Sequence, residues 1–343
     1  MLHDPIKPSA ARWPHRWAWL LACATFPLVW WGGFVTATGS GMAFKDWLTS
    51  DGVFMPLYPW LSSAGDKFIE HGHRLLGMLA GFLTIALLIS LYVGEPRRWV
   101  RWFGVALLLG VVAQGVLGGI RVKMDEQSPD NARVIALIHG CTGPIFFAAA
   151  AAMVAVTSRR WAEPSTSPAA CGLASPKLLR LAVLTALLAY LQLVVGAVVR
   201  HSPLMLTEDA ANIFQIAVYF HVILAIAVTF HVLLLAHKCF WSRVSRVLPV
   251  NLALLIGVQL LLGVSTWMLK YGMPQWATGV IGETGHFNRA TGAASAAIVT
   301  AHGAVGSLIV ALCVVLVLQV ARRVGVQSPS RRPNGISVAG VTA

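Results

Sequence analysis

Long apolar runs alternate with short polar segments along most of the chain. About 20 consecutive apolar residues are needed for a helix that crosses a bilayer, and eight runs are long enough. They lie at about 17–36, 72–93, 100–120, 134–157, 178–199, 214–237, 248–269 and 295–321. The pattern predicts an all-α polytopic membrane protein with eight transmembrane helices, the first of them an uncleaved helix rather than a signal peptide.

The composition agrees with this prediction. Of the 343 residues, 57% are hydrophobic and 11% are charged, against roughly 25% charged residues in a soluble domain. The net charge of +13 comes from Lys and Arg in short loops and at the termini. Membrane topology accounts for such clusters, so we expect the lipid bilayer and no nucleic acid as a partner. The five scattered cysteines indicate neither a disulfide framework nor a zinc site.

The distribution of charge predicts the orientation. Of the 26 Lys and Arg residues, 17 lie at the termini and in the loops on the same side, while 10 of the 13 acidic residues lie on the other side. The side rich in Lys and Arg is normally cytoplasmic. Both termini are therefore expected in the cytoplasm, and the opposite loops at the outer face.

Similar motifs in the two halves of the chain indicate an internal repeat. Ile138–Gly140 near the start of the fourth span matches Ala301–Gly303 near the start of the eighth, and Gln-x-x-x-Gly motifs recur in spans three, five and seven (Gln114–Gly119, Gln192–Ala197, Gln259–Val264). We attribute the glycines to close helix packing. The predicted divisions are an N-terminal four-helix half (1–157), a cytoplasmic linker (158–177), a C-terminal four-helix half (178–321) and a cytoplasmic tail (322–343).

Four histidines lie near the outer ends of the even-numbered spans, one on each: His73, His139, His221 and His302. A repeat of four helices brings the first two together in one half and the last two together in the other. Facing imidazoles in a four-helix bundle suit an iron porphyrin with two axial histidines. We predict these four as metal ligands and take the other seven as structural or solvated: His3, His15, His71, His201, His231, His237 and His286.

Only the N-terminal half adds a carboxylate. Glu70, His73 and Arg74 are three and four residues apart, so one helix face can carry all three. The second half has Gln215 ahead of His221 and no acidic residue there. Ionisable groups at a membrane segment usually face a polar cavity. The difference suggests a haem on which chemistry happens in the N-terminal half, and a fixed electron-transfer haem in the C-terminal half.

At these motifs the chain resembles the haem A synthases. The stretch Gly32-Gly33-Phe34-Val35-Thr36-Ala37-Thr38-Gly39-Ser40-Gly41 is similar to their GG-x-V-R-A-T-G-S-G, and Glu70–Arg74 and Gln114–Gly119 are similar to their E-x-x-H-R and Q-x-x-L-G-G. The four histidines follow in the same order. The resemblance extends over all eight spans.

The resemblance implies an oxidoreductase that converts the C8 methyl group of haem O into a formyl group by successive hydroxylations. It associates His73, His139 and Arg74 with the substrate haem, and His221 and His302 with a bound haem b. It also implies Glu70 as the catalytic residue, acting as a base, a nucleophile or an electrostatic stabiliser. A bacterial cytoplasmic membrane, an electron acceptor that the sequence does not identify and a partnership with the haem O synthase are further implications.

The chain departs from the family pattern at three positions. Phe44 and Ser50 stand where many bacterial members have two loop cysteines, and Thr36 stands where they have an arginine. None of these changes removes a predicted ligand or Glu70.

Two other functions remain open at this point. A di-haem membrane cytochrome that only passes electrons explains four histidines equally well, and a haem transporter or chaperone would bind haem only transiently at the first pair. Neither explains a Glu–Arg pair confined to one half.

Overall fold

The structure is a computed structural model that describes residues 12–162, 174–201, 208–271 and 292–327. Most of the predicted linker, most of the predicted tail, and the two histidines His3 and His286 lie outside these residues. Within the described part of the chain, eight helices are long and apolar enough to cross a membrane. The predicted fold class and the number of spans are confirmed.

The eight helices are labelled α1 to α8: α1 Arg12–Thr38, α2 Asp66–Gly94, α3 Arg98–Met124, α4 Pro129–Thr157, α5 Pro176–His201, α6 Glu208–Trp241, α7 Val247–Tyr271 and α8 Ala293–Gln327. A single helical turn, Arg159–Ala162, follows α4. Most helices extend several residues beyond the predicted apolar runs. The helical hydrogen bonding continues past the apolar runs into the interfacial region of the membrane. Polar side chains are tolerated there, so the apolar pattern ends before the helix does.

The helices pack as two rings of four. In the N-terminal half α1 contacts α2, α2 contacts α3, α3 contacts α4, and α4 closes the ring against α1; α5 to α8 repeat the same order of contacts. The halves meet where α8 packs on α1 and α4 and where α4 packs on α5. Each half has its own apolar core, one around Leu87 and Met153 and the other around Leu235 and Leu316.

The segment between α1 and α2 is an ordered loop. It contains a short antiparallel hairpin, β1 Thr49–Ser50 and β2 Val53–Phe54. Asp51 and Gly52 form its turn with positive φ angles of 52° and 76°, which are accessible to Asp and favourable for Gly. Two single turns of 3₁₀ helix, Met55–Leu57 and Trp60–Ser62, lead into α2.

Candidate functional site

A cavity of about 2010 Å³ is lined by all eight helices and by the loop between α1 and α2. Its volume is about twice the upper end of the usual range for a small-molecule pocket, roughly 1,000 Å³. The four predicted histidine ligands and the Glu70–Arg74 pair all line it. The cavity is therefore large enough for more than one bulky ligand, and both halves of the molecule contribute to it.

The structure brings the four histidines together as the two predicted pairs. His73 on α2 faces His139 on α4, with ring centroids 6.4 Å apart and ring planes at 85°. His221 on α6 faces His302 on α8, with centroids 6.2 Å apart and planes at 73°. The two values are alike because the two rings of helices pack in the same order.

The spacing within each pair fits two axial ligands of one metal ion. A metal–imidazole bond is about 2 Å long and the nitrogen lies about 1 Å from the ring centroid, so two trans imidazoles have centroids roughly 6 Å apart. In each of the four rings, Nδ1 is buried and has no hydrogen-bond partner among the described residues. A buried polar atom without a partner is costly, and ligand binding or a small ring rotation would relieve that cost.

Each histidine ring lies against a glycine of the preceding helix. A Cβ atom on Gly32, Gly196 or Gly263 would come within 2.7, 2.9 or 3.1 Å of Cε1 of His73, His221 or His302 respectively. A Cβ on Gly118 would meet Cε1 of His139 at 4.0 Å. The glycine motifs were attributed to helix packing, and at these positions they also leave room for the histidine rings. The sequence contained an indication of these contacts, because each of these glycines lies on the helix just before the one that carries the predicted ligand.

Glutamine side chains of the same motifs lie near the second and fourth helices of each half. The Gln192 amide nitrogen lies 3.2 Å from His221 Nε2 and donates to the His221 carbonyl at 3.0 Å. Gln114 donates to the Thr142 hydroxyl at 2.6 Å, three residues after His139. These contacts tie the odd-numbered helices to the helices that carry the histidines.

Glu70 is 4% exposed and is held from two sides. Its Oε1 accepts two hydrogen bonds from the Arg74 guanidinium, from Nη2 at 2.6 Å and from Nε at 3.2 Å. Its Oε2 accepts from the backbone amides of Ala43 and Phe44 at 2.7 and 3.2 Å. Arg74 also donates Nη1 to the carbonyls of Asp46 and Thr49. The Glu70–Arg74 pair therefore fastens the loop above the His73–His139 pair.

Phe44 and Ser50, the loop residues that depart from the expected motif, are both fully buried. Phe44 is 1% exposed and packs edge-on against Tyr58, with the Arg74 guanidinium 5.0 Å from its ring centroid. Ser50 lies 3.0 Å from His71 Nδ1. An aromatic cluster and one hydrogen bond therefore hold the loop at Phe44 and Ser50.

Asp46 stabilises the hairpin from the solvent side. It accepts hydrogen bonds from the amides of Asp51 at 3.2 Å and Gly52 at 2.9 Å. Burial by itself would raise the pKa of Asp46, but these bonds and one from the Thr49 side chain outweigh it and hold the pKa below its usual value.

Three of the other histidines differ from their predicted locations. His71 was expected at the membrane interface but is fully buried, with its ring centroid 4.7 Å from that of Tyr58 and the ring planes tilted by 42°. His201 was expected in an outer loop but is the last residue of α5 and lines the cavity. His15 was expected in the tail but lies in α1, 3.1 Å from the Thr157 hydroxyl. Sequence spacing misses these contacts because each depends on a segment distant in the chain or on a longer helix.

Comparison with known proteins agrees with this architecture. A family model described as a cytochrome oxidase assembly protein matches residues 15–278. The chain belongs to this family. It is 30% identical over 146 residues to a protein named Heme A synthase from Hyphomonas neptunium, an alignment that covers 35% of the chain and 40% of that protein.

A second relative, named Heme A synthase from Symbiobacterium thermophilum, is 32% identical over 178 residues, covering 50% of the chain and 54% of the relative. The chain thus spans about half the length of the relatives it matches. The predicted resemblance to the haem A synthase family is confirmed.

Proposed function

We propose that the protein is a haem A synthase, an oxidoreductase that oxidises the C8 methyl group of haem O to a formyl group. The observation that carries the proposal is the asymmetry of two otherwise equivalent sites. Each half has a histidine pair with nearly the same ring spacing. Among the described residues, a buried carboxylate–guanidinium pair shares a helix with one of these histidines only in the N-terminal half, where the loop between α1 and α2 also bonds to the carboxylate.

In this proposal His73 and His139 hold the iron of the substrate haem O, with Arg74 at the same site. His221 and His302 hold haem b as the resident cofactor, and the ring spacing and the buried ring nitrogens support a metal between them. When bound, haem b supplies one-electron transfer between the substrate site and an acceptor. Each hydroxylation of the methyl group that takes its oxygen atom from water releases two electrons and two protons, and haem b would pass the electrons to the acceptor. Both histidine pairs line the same cavity.

Glu70 is the proposed catalytic residue, and its surroundings favour one of the three roles open to it. A carboxylate that accepts four N–H bonds has its oxygens engaged, so direct nucleophilic attack or proton removal would first require loss of a partner. A fixed negative charge beside the methyl group would instead stabilise positive charge that develops during oxidation. Electrostatic stabilisation needs no rearrangement.

The loop over the N-terminal pair has a second role in the proposal. Trp47, Leu48 and Phe54 of the loop line the cavity, and the Trp47 ring packs on Gly119 so closely that a Cβ atom there would clash with it. Such close packing on α3 excludes water from this side of the site. Water exclusion strengthens the interaction between the Glu70 charge and the substrate.

The molecule is proposed to lie in a bacterial cytoplasmic membrane with both termini in the cytoplasm and the histidine pairs toward the outer face. The haem O synthase is the proposed source of the substrate. The N-terminal half is proposed as the substrate domain and the C-terminal half as the haem b domain, with the linker and the tail on the cytoplasmic side.

The test is a chromatographic haem profile from cells that make haem O and express the chain. The intact chain is expected to yield haem A. Glu70→Gln should lower haem A formation by about a hundredfold or more, the usual cost of losing a preorganised electrostatic group, and leave haem O or a hydroxylated intermediate. Glu126→Gln is the matched control, because that carboxylate pairs with Lys45 in solvent away from the cavity.

Other outcomes discriminate the alternatives. Bound haem b without any haem A from the intact chain would favour a di-haem electron-transfer cytochrome. Haem that exchanges without change to the porphyrin would favour a transporter or chaperone. Haem A from both the intact chain and the Glu70→Gln variant would retain the enzyme and refute the catalytic role of Glu70.

A further inference from the structure

Arg121, near the C-terminal end of α3, is a cation inside the N-terminal part of the cavity. It lines the cavity together with His73 and His139, and its charge lies within electrostatic reach of both rings. Its guanidinium group rests on Gly41 of the loop, where a Cβ atom would come within 2.9 Å of Nη2. The absence of a side chain at Gly41 therefore allows the guanidinium group to occupy this position.

The carboxylates of Glu70 and Asp125 act on this charge from a distance, but neither bonds to the Arg121 guanidinium. Glu70 is engaged by Arg74 and by two loop amides. Asp125 follows Arg121 by one helical turn but forms no ion pair with it, and the described residues offer the Arg121 guanidinium no other ion pair or hydrogen bond. An arginine that lines a cavity at a membrane segment without a directly bonded acceptor is costly. The cost is relieved if the ligand of the cavity carries the negative charge.

Two other arginines line the cavity and are engaged elsewhere. Arg200 donates to the Gly33 carbonyl of α1. Arg74 directs Nε and Nη2 to Glu70 and Nη1 to two loop carbonyls. Thr36, at the position where the family has an arginine, has no charge and donates its hydroxyl to the Gly32 carbonyl at 3.2 Å. Arg121 lines the cavity beside the N-terminal pair, and its guanidinium group donates to no acceptor among the described residues.

We propose that Arg121 binds a propionate carboxylate of the porphyrin held between His73 and His139. This inference rests on the proposed function and deepens it by assigning the residue that orients the substrate. The planar guanidinium fork matches a carboxylate in bidentate geometry. The two histidines would hold the iron, and Arg121 would hold one edge of the porphyrin. Together these contacts would determine which methyl group lies beside Glu70.

The test compares two probes on purified protein that carries haem b in the C-terminal half. Iron protoporphyrin, which has two free propionates, and its dimethyl ester are titrated separately and followed by absorption. The unmodified chain should bind the free acid about tenfold to a hundredfold more tightly than the ester, as expected for a charge-assisted hydrogen bond. Arg121→Gln should abolish that preference and leave ester affinity unchanged.

Three further variants sharpen the test. His73→Ala should remove the absorption change, which assigns the titration to the N-terminal pair. Lys123→Gln, an exposed cation two residues away, should leave the preference intact. Arg121→Lys should keep a reduced preference, and it replaces Arg121→Gln as the test if the glutamine variant does not fold.

The preference for the free acid surviving in Arg121→Gln would overturn the inference. It would also be overturned if the unmodified chain bound neither probe at a His73-dependent site. Lower thermal stability of the ligand-free Arg121→Gln protein, with the preference retained, would assign Arg121 a purely structural role. The titration does not require haem A formation, so an Arg121-dependent preference in a chain that makes no haem A would refute the proposed function and leave this binding role.

Discussion

Glu70 illustrates how one residue can serve both the structure and the proposed chemistry. Its carboxylate accepts hydrogen bonds from the loop amides and from Arg74. Glu70 also lines the cavity. Loss of Glu70 would therefore remove a charge from the site and a fastening from the loop. The two effects can be separated, because Ser50 fastens the same loop without facing the cavity.

Glycine is required at the residue scale where a histidine ring passes close to a neighbouring helix. Gly196→Ala and Gly263→Ala are expected to displace the His221 and His302 rings, because the new Cβ would lie 2.9 and 3.1 Å from Cε1. Retention of haem b by the purified protein should fall severalfold, measured by the haem absorption per protein.

Gly257→Ala on the same helix as Gly263 is the control. It has no atom within 4 Å of the new Cβ and replaces a poor helix former by a good one, which favours the helix by about 1 kcal/mol. Equal haem retention in the Gly257→Ala and Gly263→Ala variants would contradict the prediction that Gly263 leaves room for the His302 ring.

At the scale of elements, the loop between α1 and α2 determines access to the N-terminal pair. Ser50→Ala removes the partner of a fully buried His71 nitrogen. An unsatisfied buried polar atom costs about 1–3 kcal/mol, so the loop should open more often. Hydrogen exchange of residues 43–54, followed by mass spectrometry, should become faster than in the unmodified chain.

Ser62→Ala is the matched control, because that hydroxyl is exposed and bonds only to the nearby Pro59 carbonyl. If Ser50→Ala lowered haem A formation as much as Glu70→Gln, fastening of the loop would account for the effect of Glu70 and the electrostatic role would be rejected.

The hairpin of the same loop should also respond to acid. The pKa of Asp46 is lowered in the folded loop from its usual value of 3.8. The stabilisation is therefore fully present above pH 3.8 and is lost as the pH falls further, through the folded pKa. Exchange protection of the Asp51 and Gly52 amides, corrected for the intrinsic rate, should decline in that range. Asp46→Asn should remove the decline, and an unchanged decline in that variant would assign it to another group.

At the scale of the whole molecule, the two four-helix halves place two similar histidine pairs in one cavity. The proposed orientation puts both pairs toward the outer face. Fusion of alkaline phosphatase after residue 343 or after Trp241 should therefore be inactive, whereas insertion within the loop after Ser63 should be active. A fluorescent protein that folds only in the cytoplasm should give the opposite pattern. Activity of the phosphatase at residue 343 would reverse the orientation.

Hydrophobic periodicity, composition and the order of the motifs were sufficient to predict the eight helices, the repeat of four helices and the pairing of the histidines. These features depend on local hydrophobicity and on the order of similar motifs, both of which are written along the chain. Glu70 and Arg74 could be placed together for the same reason, since residues four apart share a helix face.

Tertiary structure alone decided what surrounds those residues. The two loop amides that donate to Glu70, the burial of His71 and the close approach of Gly32, Gly196 and Gly263 to histidine rings all join segments from different helices or from the loop. Arg121 gave no sequence signal, because a basic residue at a helix end usually faces solvent or lipid headgroups. The charge of Arg121 faces the cavity because the loop packs on α3 and because Glu70 bonds to Arg74 instead. Both contacts depend on distances between residues that lie far apart in the chain.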